Sequence, residues 1–380
     1  MNSSEKRQHI RQETQFLYLH KYFYGGVTTF TAHLFHTMWR IQKGQSIHSV
    51  LHPTIKSEHI LRDFGYGLRY RNISTKSLRH INFPFITVVK DNYFYALKEL
   101  SDNQKEKATE IEANPVVVIH DPRDISERIA NLIKTWKVIT IRKTVQRYLE
   151  MKYGIGSIFL YHPFFPYSTS RPSILSPGNQ PTRKGAVSIS RIGFGKNIDL
   201  ILKANNILDS HNHKSNTESN SIRIYGCPTP RYVYLFLDNK RVNKSNDVCS
   251  KYTINDGDFR RHYFGKFERS FSALSEILSR QKFVVDLSTI KNDGGGTQYT
   301  FLEAIHNGCA IILNRKWLEG PCCDPEYCDF KEGYNCFAIE DENELADLIR
   351  SDADTAKVNE NARKLILRHY NINWSQMIGN

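Results

Sequence analysis

"DGGGTQYTFLEAIHNGCAIIL" spans Asp293–Leu313, where three glycines precede an apolar segment with helical spacing and a short apolar strand follows. Glycine lets a backbone come close to an anion, and the free N–H groups at a helix start point toward it. The stretch therefore predicts a strand–loop–helix–strand unit whose loop, Gly294–Gly296, binds an anion.

One acidic residue, Glu303, lies a turn inside this predicted helix among apolar neighbours. An unpaired carboxylate in apolar surroundings costs several kcal/mol, so we expect Glu303 to have a partner. A pair of ribose hydroxyls fits this requirement, and an arginine in the core is the alternative.

Short apolar runs and helical segments alternate on both sides of this unit, which indicates parallel sheets with right-handed crossovers. In the first half, strands are predicted at Phe16–His20, Val116–Ile119, Val138–Ile141 and Ser157–Leu160, and helices at Val27–Ile41, Glu127–Trp136 and Thr144–Tyr153. In the second half, strands are predicted at Ala186–Ser190, Ile222–Tyr225, Phe283–Leu287 and Ala310–Leu313, helices at Ile198–Leu208, Ser270–Ser279, Tyr299–His306, Glu342–Arg350 and Val358–Tyr370, and a surface loop at Ser210–Ser221.

The length of 380 residues is too great for one small core and predicts two domains. We expect an α/β protein with two Rossmann-like domains, residues 1–170 and 186–355, joined by a Pro-, Ser- and Gly-containing linker at 171–185. Residues 356–380 are expected to form a C-terminal helix that packs back on the first domain. Because ligands bind at the carboxyl ends of such sheets, an interdomain cleft is the expected site.

Composition narrows the class of protein further. The net charge is +13, and residues 1–80 hold twelve Lys and Arg against four acidic residues. This excess favours a polyanionic partner, and general solubility is the alternative. Neither a transmembrane run nor an apolar signal region is recognisable, so a cytoplasmic location is expected.

Seven cysteines make an odd number, and four of them cluster at Cys322, Cys323, Cys328 and Cys336. Zinc sites prefer paired CxxC spacings, which this cluster lacks. Reduced structural thiols and no bound metal are therefore expected, with a metal site as the alternative.

Three further sites follow predicted strands. YGGVTTF contains the pair Gly25 and Gly26 before a helix, which suits either a close approach to an anion or a simple turn. His120 and Asp121 follow VVVI; His120 is a candidate for proton exchange near neutral pH, and Asp121 for binding a substrate hydroxyl or capping the next helix.

The loop SRIGFGKN places Arg191 and Lys196 between a strand and a helix. Two cations at this position suit a diphosphate, and two solvated surface cations are the alternative.

A basic stretch, RDFGYGLRYRNISTKSLR, interleaves five cations with three aromatic residues from Arg62 to Arg79. Such a pattern suits phosphate contacts and base stacking, and an exposed Arg-rich loop is the alternative. The candidate DNA contacts are Arg62, Arg69, Tyr70, Arg71 and Arg79.

These motifs together carry a family resemblance. The Gly pair after the first strand, Arg191 with Lys196, and LEA-x3-G around Glu303 resemble the retaining, nucleotide-sugar-dependent GT-B glycosyltransferases of the family 4-like group. More narrowly, GGVTTF, the HD after VVV and QYTFLEA resemble the DNA α-glucosyltransferases of T-even phages.

The resemblance implies a nucleotide-sugar donor domain at 186–355 and an acceptor domain at 1–170. It implies that Arg191 and Lys196 hold the donor diphosphate, that Glu303 binds the ribose, and that His120 and Asp121 lie near the reacting sugar. The implied donor-binding residues are Gly25, Gly26, Arg191, Lys196, Gly295, Gly296, Thr297, Gln298, Tyr299, Thr300 and Glu303.

The implied activity is the transfer, with retention, of a hexose such as glucose from a UDP-sugar to a 5-hydroxymethylated base in viral DNA. The alternatives are transfer to a glycan or a protein, and a non-enzymatic protein that binds nucleic acid. One departure concerns the Glu that the retaining class has eight residues before the ribose Glu. Here that position is Gly295, and the nearest acid is Asp293, so the contact with the transferred sugar stays open.

Overall fold

The computed structural model describes two compact units. One comprises the described residues of Met1–Phe165 and Ile372–Asn380, and the other those of Pro166–Asn371. The structure describes residues 15–20, 25–41, 46–50, 61–81, 85–107, 114–165, 183–192, 194–215, 221–226, 256–266, 268, 270–289, 297–319, 330–370 and 374. None of the helices within these ranges combines the length and apolar composition needed to cross a membrane.

The first unit contains a sheet with the strand order β3-β4-β2-β1-β5-β6-β7-β8. Its strands are parallel except for β3, which pairs antiparallel with β4. The strands are β1 (Gln15–Tyr18), β2 (Ser46–Val50), β3 (Leu61–Gly65), β4 (Leu68–Ile73), β5 (Phe85–Val88), β6 (Val116–Ile119), β7 (Lys137–Thr140) and β8 (Ile158–Phe159). The helices are α1 (Gly26–Ile41), α2 (Phe94–Lys107), α3 (Glu127–Ile133) and α4 (Lys143–Tyr153).

The central strands of this sheet are buried on both faces. Every residue of β5 and β6 is buried, and β6 consists of β-branched Val and Ile only. Such side chains suit a parallel sheet that helices cover on both sides, and burying each contributes about 1.5–3 kcal/mol. Residues that follow these strands are thereby fixed at one edge of the sheet.

The second unit contains a parallel sheet with the order β10-β9-β11-β12-β13. Its strands are β9 (Ala186–Ile189), β10 (Ile222–Tyr225), β11 (Phe283–Asp286), β12 (Ala310–Asn314) and β13 (Phe337–Ile339). Its helices are α5 (Ile198–Ser215), α6 (Asp256–His262), α7 (Phe271–Ser279), α8 (Tyr299–His306), α9 (Glu342–Arg350) and α10 (Thr355–Tyr370). Two α/β units, each built on a mainly or wholly parallel sheet, confirm the predicted fold class.

Four predicted elements match their observed bounds, namely Val116–Ile119, Ile222–Tyr225, Tyr299–His306 and Glu342–Arg350. The loop predicted at Ser210–Ser221 is wrong over its first part, because α5 continues to Ser215. Ser210 remains compatible with the helix since its hydroxyl donates to the carbonyl of Ile207 at 2.8 Å. The predicted helix at Glu127–Trp136 also ends early, at Ile133.

The C-terminal region contributes to both units. α10 packs against α8 and β12 within the second unit. Trp374 belongs to the first unit, where its Nε1 donates to the carbonyl of Tyr161 at 3.2 Å. Its ring lies edge-on to Phe30 of α1, with the centroids 5.7 Å apart.

Candidate functional site

The carboxyl ends of β9 and β11 lie side by side in the second unit, because the two strands pair in parallel. The loops that follow them are joined by two hydrogen bonds. Nδ2 of Asn197 donates to the carbonyl of Leu287 at 2.8 Å, and the N–H of Thr289 donates to the carbonyl of Gly195 at 2.8 Å. Asn197 has φ +47°, a left-handed conformation that Asn tolerates better than most residues. The loop after β9 is thus held against the end of β11.

Lys196 is the centre of the polar contacts at this edge. Its Nζ lies 3.3 Å from Oδ2 and 3.4 Å from Oδ1 of Asp286, at the end of β11. It also contacts Oγ of Ser288, and Oε1 of Gln298 at 3.2 Å. The Lys196 side chain is 22% exposed and that of Asp286 only 1%. The ammonium therefore lies between a buried carboxylate and the partly exposed start of α8.

Asp286 is fixed by the residues around it. Its Oδ1 accepts from the N–H of Ser288 at 3.0 Å and from the Ser288 hydroxyl. Trp317 in turn donates from Nε1 to the carbonyl of Ser288 at 2.7 Å. Asp286 and Ser288 were not predicted from the sequence, because an acid and a serine after a buried strand form no recognised motif.

Gln298 is the N-cap residue of α8, but its side chain makes no capping hydrogen bond. The side chain contacts Lys196 instead, so it leaves the first N–H groups of the helix to other acceptors. Thr297 and Thr300 beside it are half-buried, and Tyr299 is 8% exposed. The glycines predicted to complete this loop, Gly294 to Gly296, lie outside the described residues.

Glu303 lies one turn into α8, on a half-buried position. Burial of its carboxyl group raises the pKa of Glu303 to about 8. The carboxyl is therefore mostly protonated at neutral pH in the ligand-free protein. A hydrogen bond that favours its charged form would lower this pKa again.

Arg191 and Lys196, predicted to act together, differ in their surroundings. Arg191 is exposed, two residues beyond the end of β9. Lys196 is half-buried and bonded to three residues. The alternative of two solvated surface cations is therefore wrong for Lys196.

In the first unit, His120 follows β6 directly and lies edge-on to Phe30, with ring centroids 4.6 Å apart. Within the described part of the chain, its buried Nε2 has no hydrogen-bond partner. Burial, together with the positive charges of Arg142 and Lys90, lowers the pKa of His120 to about 3. His120 is therefore a neutral hydrogen-bonding group in the ligand-free protein, which disfavours proton exchange near neutral pH, and its role at the site stays a prediction.

Asp121 caps the short 3-10 helix Pro122–Asp124. Its carboxylate accepts from the N–H of Arg123 at 2.9 Å, as the capping alternative predicts. Asp124, which was not predicted from the sequence, has a side chain that is only 12% exposed, and its Oδ1 lies 3.6 Å from Nζ of Lys90. Burial raises the pKa of Asp124 to about 6 although Lys90 opposes the shift.

The predicted Gly pair begins α1. Gly25 has φ +84°, which favours glycine, and its carbonyl accepts from the N–H of Thr29 at 3.1 Å. Gly26 is the first residue of the helix. Both glycines are exposed, and among the described residues a Cβ at either would meet nothing within 4 Å.

The basic stretch from Arg62 to Arg79 is a hairpin of β3 and β4 followed by the 3-10 helix Thr75–His80, and not an extended loop. We call strands β3 and β4 with their turn the basic hairpin. Its cations are exposed at Arg62, Arg69 and Arg71, and Arg79 of the 3-10 helix is exposed as well. Strand alternation explains the exposure of Arg69 and Arg71, because Leu68, Tyr70 and Asn72 between and beside them in β4 face the core.

The same alternation corrects the prediction for Tyr70. Tyr70 is only 6% exposed and lies edge-on to Phe64, which is fully buried. Its ring belongs to the core and does not face a nucleic acid base. Tyr66, in the turn with φ +58°, lies against α1, where its hydroxyl is 3.2 Å from Oγ1 of Thr29.

The cysteine cluster is the place where the sequence leaves a metal site as an alternative. Cys322, Cys323 and Cys328 lie outside the described residues, and Cys336 is a buried free thiol. Among the residues that the structure does describe, no group of three or more His, Cys, Asp or Glu side chains could hold a metal ion.

No protein-family model matches the chain, and no curated protein matches it in sequence. Solved structures match it in fold. Staphylococcus aureus TarM matches with a TM-score of 0.46 and 17% identity over 78% of this chain, and the chain spans only 55% of that protein's length.

Three other structures match over nearly their whole length. An α-glucosyltransferase in complex with UDP-glucose and DNA containing an abasic site is 12% identical, with a TM-score of 0.60 over 94% of this chain and 95% of that chain. A glycosyltransferase from Rickettsia africae is 13% identical, with a TM-score of 0.60 over 97% and 96%. A UDP-forming α,α-trehalose-phosphate synthase from Burkholderia xenovorans is 10% identical, with a TM-score of 0.56 over 94% and 96%. At these identities the likeness establishes the fold: the chain has the two Rossmann-like domains of the GT-B glycosyltransferases.

Proposed function

We propose that the chain is a glycosyltransferase whose donor is a UDP-sugar, with the donor diphosphate bound at the carboxyl ends of β9 and β11. The observation that supports this proposal most strongly is the contact between Lys196 and Gln298, with Nζ 3.2 Å from Oε1. It brings a cation of the loop after β9 to the start of α8, where two features that attract phosphate meet.

The chemistry of sugar transfer explains why such a site is useful. When the sugar leaves a nucleotide diphosphate, negative charge develops on the leaving phosphate. A fixed ammonium and the N-terminal N–H groups of a helix stabilise that charge without reorganising. Lys196 and the start of α8 would supply these groups, and exposed Arg191 would add a second cation. We therefore propose no metal in the reaction.

Glu303 is the proposed ligand of the ribose. It lies one turn beyond Gln298 on α8, so that a nucleoside could extend from the phosphates along the helix. Its carboxylate can accept hydrogen bonds from two adjacent hydroxyls. In the proposed complex these bonds would favour the charged form that burial disfavours.

We propose glucose as the transferred sugar and retention as the stereochemical outcome. Both follow the resemblance of the motifs, and the α-glucosyltransferase of the same fold was solved with UDP-glucose. Gly25, Gly26, His120 and Asp121 are proposed to lie near this sugar. The neutral imidazole of His120, with its buried Nε2, would form a hydrogen bond with a sugar hydroxyl and would not exchange a proton with it.

Duplex DNA with a 5-hydroxymethylated base is the proposed acceptor. Arg69 and Arg71, exposed together on one face of β4, support it, because cations on one surface favour phosphate contacts. An enzyme that acts on a base in duplex DNA must flip that base out of the stack. Phosphate contacts alone do not flip a base. Transfer to a glycan or protein is the alternative acceptor reaction, and nucleic-acid binding without catalysis is the alternative function.

Calorimetric titration of the full chain with UDP and UDP-glucose tests the proposed donor. Saturable binding of both is expected, with weaker binding of GDP-mannose, and Lys196→Met should weaken UDP binding. Lys203→Met is the matched control, since this exposed lysine lies on α5 and pairs with Glu342 at 3.9 Å. Binding of DNA without any binding of UDP would contradict the proposal and favour the non-enzymatic alternative.

A further inference from the structure

We infer that Asp286 is a positioning residue for the transfer reaction. It holds the ammonium of Lys196 beside the position that the donor diphosphate must occupy. This inference rests on the proposed function of the Lys196 site. Asp286 ends β11 and pairs with Lys196, and only 1% of its side chain is exposed. Its two oxygens lie 3.3 and 3.4 Å from Nζ.

The first reason is the rigidity of Asp286 itself. A carboxylate can orient a cation only when it does not move. Oδ1 of Asp286 is bound by the N–H of Ser288 at 3.0 Å and by the Ser288 hydroxyl. The backbone of Ser288 is held in turn by Trp317 at 2.7 Å. Asp286 is thus fixed by the strand on one side and by Ser288 on the other.

The second reason is the number of acceptors around Lys196. An ammonium has three N–H donors, whereas Asp286, Ser288 and Gln298 present four acceptor atoms to it. A diphosphate oxygen would therefore replace one of them. Gln298 is the group to be displaced, because it is neutral and half-buried at a helix start, while Asp286 is charged and enclosed.

The third reason concerns the cost of a free Lys side chain. Its four-carbon stem has many rotamers, and fixing them costs free energy. The ion pair with Asp286 meets this cost before the donor binds, because the pair exists in the ligand-free protein. The side chain of Lys196 is then already ordered when the transition state forms, and a misplaced charge at that point would lower the rate.

The expected signature is a change in kcat with little change in donor binding. Asp286→Asn keeps the shape of the side chain and its bond from Ser288, but removes the charge that orients Lys196. We expect kcat for UDP release from UDP-glucose to fall between about tenfold and about a hundredfold. The Kd of UDP should change less than about threefold, because the lost carboxylate also repelled the diphosphate.

A double-mutant cycle tests whether Asp286 acts through Lys196. The variants are Asp286→Asn, Lys196→Met and the double variant, assayed as full chains with radiolabelled donor. Asp286→Asn should lower kcat in the wild-type background and leave it unchanged in the Lys196→Met background. The matched control is Asp352→Asn, an exposed acid after α9 with the same change of charge, which should leave kcat unaltered.

Folding is controlled separately. Urea unfolding shows which variants are folded, and only folded variants are compared. If Asp286→Asn does not fold, Ser288→Ala is assayed in its place. Ser288→Ala keeps the charge pair but loosens the carboxylate, so a smaller fall in kcat with an unchanged Kd of UDP is expected. An unchanged kcat in this variant would count against the inference.

The outcomes separate the two claims. If wild-type protein releases UDP and Asp286→Asn lowers kcat equally in both backgrounds, or not at all, the positioning role is overturned and the proposed function stands. If wild-type protein neither binds nor releases UDP, the proposed function fails and the positioning role fails with it. The inference is supported only if Asp286→Asn lowers kcat when Lys196 is present and leaves it unchanged in the Lys196→Met background.

Discussion

The ammonium of Lys196 lies 3.2 Å from Oε1 of Gln298, although 102 positions separate the two residues in the chain. One belongs to the loop after β9 and the other begins α8. The contact joins two of the sites singled out in the sequence, and β11 between them supplies Asp286, which neither motif contains. A donor site proposed from separate motifs is therefore supported by one continuous set of contacts.

Replacing Lys196 should affect catalysis more than replacing Arg191. Lys196→Ala removes a preorganised cation and should cost roughly 2–4 kcal/mol of transition-state stabilisation, measured as kcat/KM for UDP-glucose. Arg191→Ala should cost less, because Arg191 is exposed and its charge is screened by solvent. Lys203→Ala is the control. Wild-type turnover in both Lys196→Ala and Arg191→Ala would contradict the donor site.

Glu303 should make donor affinity depend on pH. The charged form of Glu303 can accept hydrogen bonds from both ribose hydroxyls and should bind much more tightly than the protonated form, which keeps fewer acceptor sites; its pKa in the free protein is about 8. Affinity for UDP-glucose should therefore rise roughly eightfold from about pH 7 to about pH 8.5, as the ionised fraction increases. Glu303→Gln should bind more weakly and lose this dependence. A pH dependence that persists in Glu303→Gln would rule out the ribose role.

Glu303 should also make the stability of the protein depend on pH, but stability should fall with rising pH whereas donor affinity rises. The folded-state pKa of Glu303 is raised above its usual value of 4.5, so its contribution to stability is present at low pH and is lost as pH rises through about 8. Urea unfolding of ligand-free wild type and Glu303→Gln between about pH 6 and about pH 9 measures this loss. The variant should lose less stability over that range, whereas identical curves would contradict the burial of the carboxyl group.

Local patterns in the sequence predicted most of the parallel strands and the helices between them. Val116–Ile119 and Tyr299–His306 were predicted correctly because continuous burial and helical periodicity each leave a local signal. The hairpin of β3 and β4 was missed, since its charged residues alternate with Tyr70 and Leu68 and resemble a basic loop. Asp286 was missed because its role depends on Lys196, 90 residues away.

His120 should reduce stability in acid. Its folded-state pKa of about 3 lies below the usual 6.5, so stability is full above 6.5 and is lost as pH falls toward the folded pKa. At about pH 5 the loss should be on the order of 2 kcal/mol relative to neutral pH. His120→Gln keeps a neutral polar group and should lose less over this range in urea unfolding. An equal loss in the variant would show that His120 is solvated.

The basic hairpin should give DNA binding a steep salt dependence. Each phosphate contact contributes about 0.9 to the slope of log affinity against log salt. The double substitution of Arg69 and Arg71 by Gln should therefore flatten the slope by about 2 on duplex DNA. Lys98→Gln, an exposed cation of α2 in the same unit, is the matched control. An unaltered slope in the double variant would show that DNA does not bind at the basic hairpin.

Transfer of labelled sugar tests the central claim most directly. The full chain is incubated with UDP-[14C]glucose and, in parallel, a duplex containing 5-hydroxymethylcytosine, the same duplex unmodified, and a panel of oligosaccharides. We predict label in the hydroxymethylated duplex alone, and its loss in Lys196→Ala. Label in an oligosaccharide and not in DNA would contradict the DNA acceptor, and no labelled product with any acceptor, together with no release of UDP, would contradict the glycosyltransferase itself.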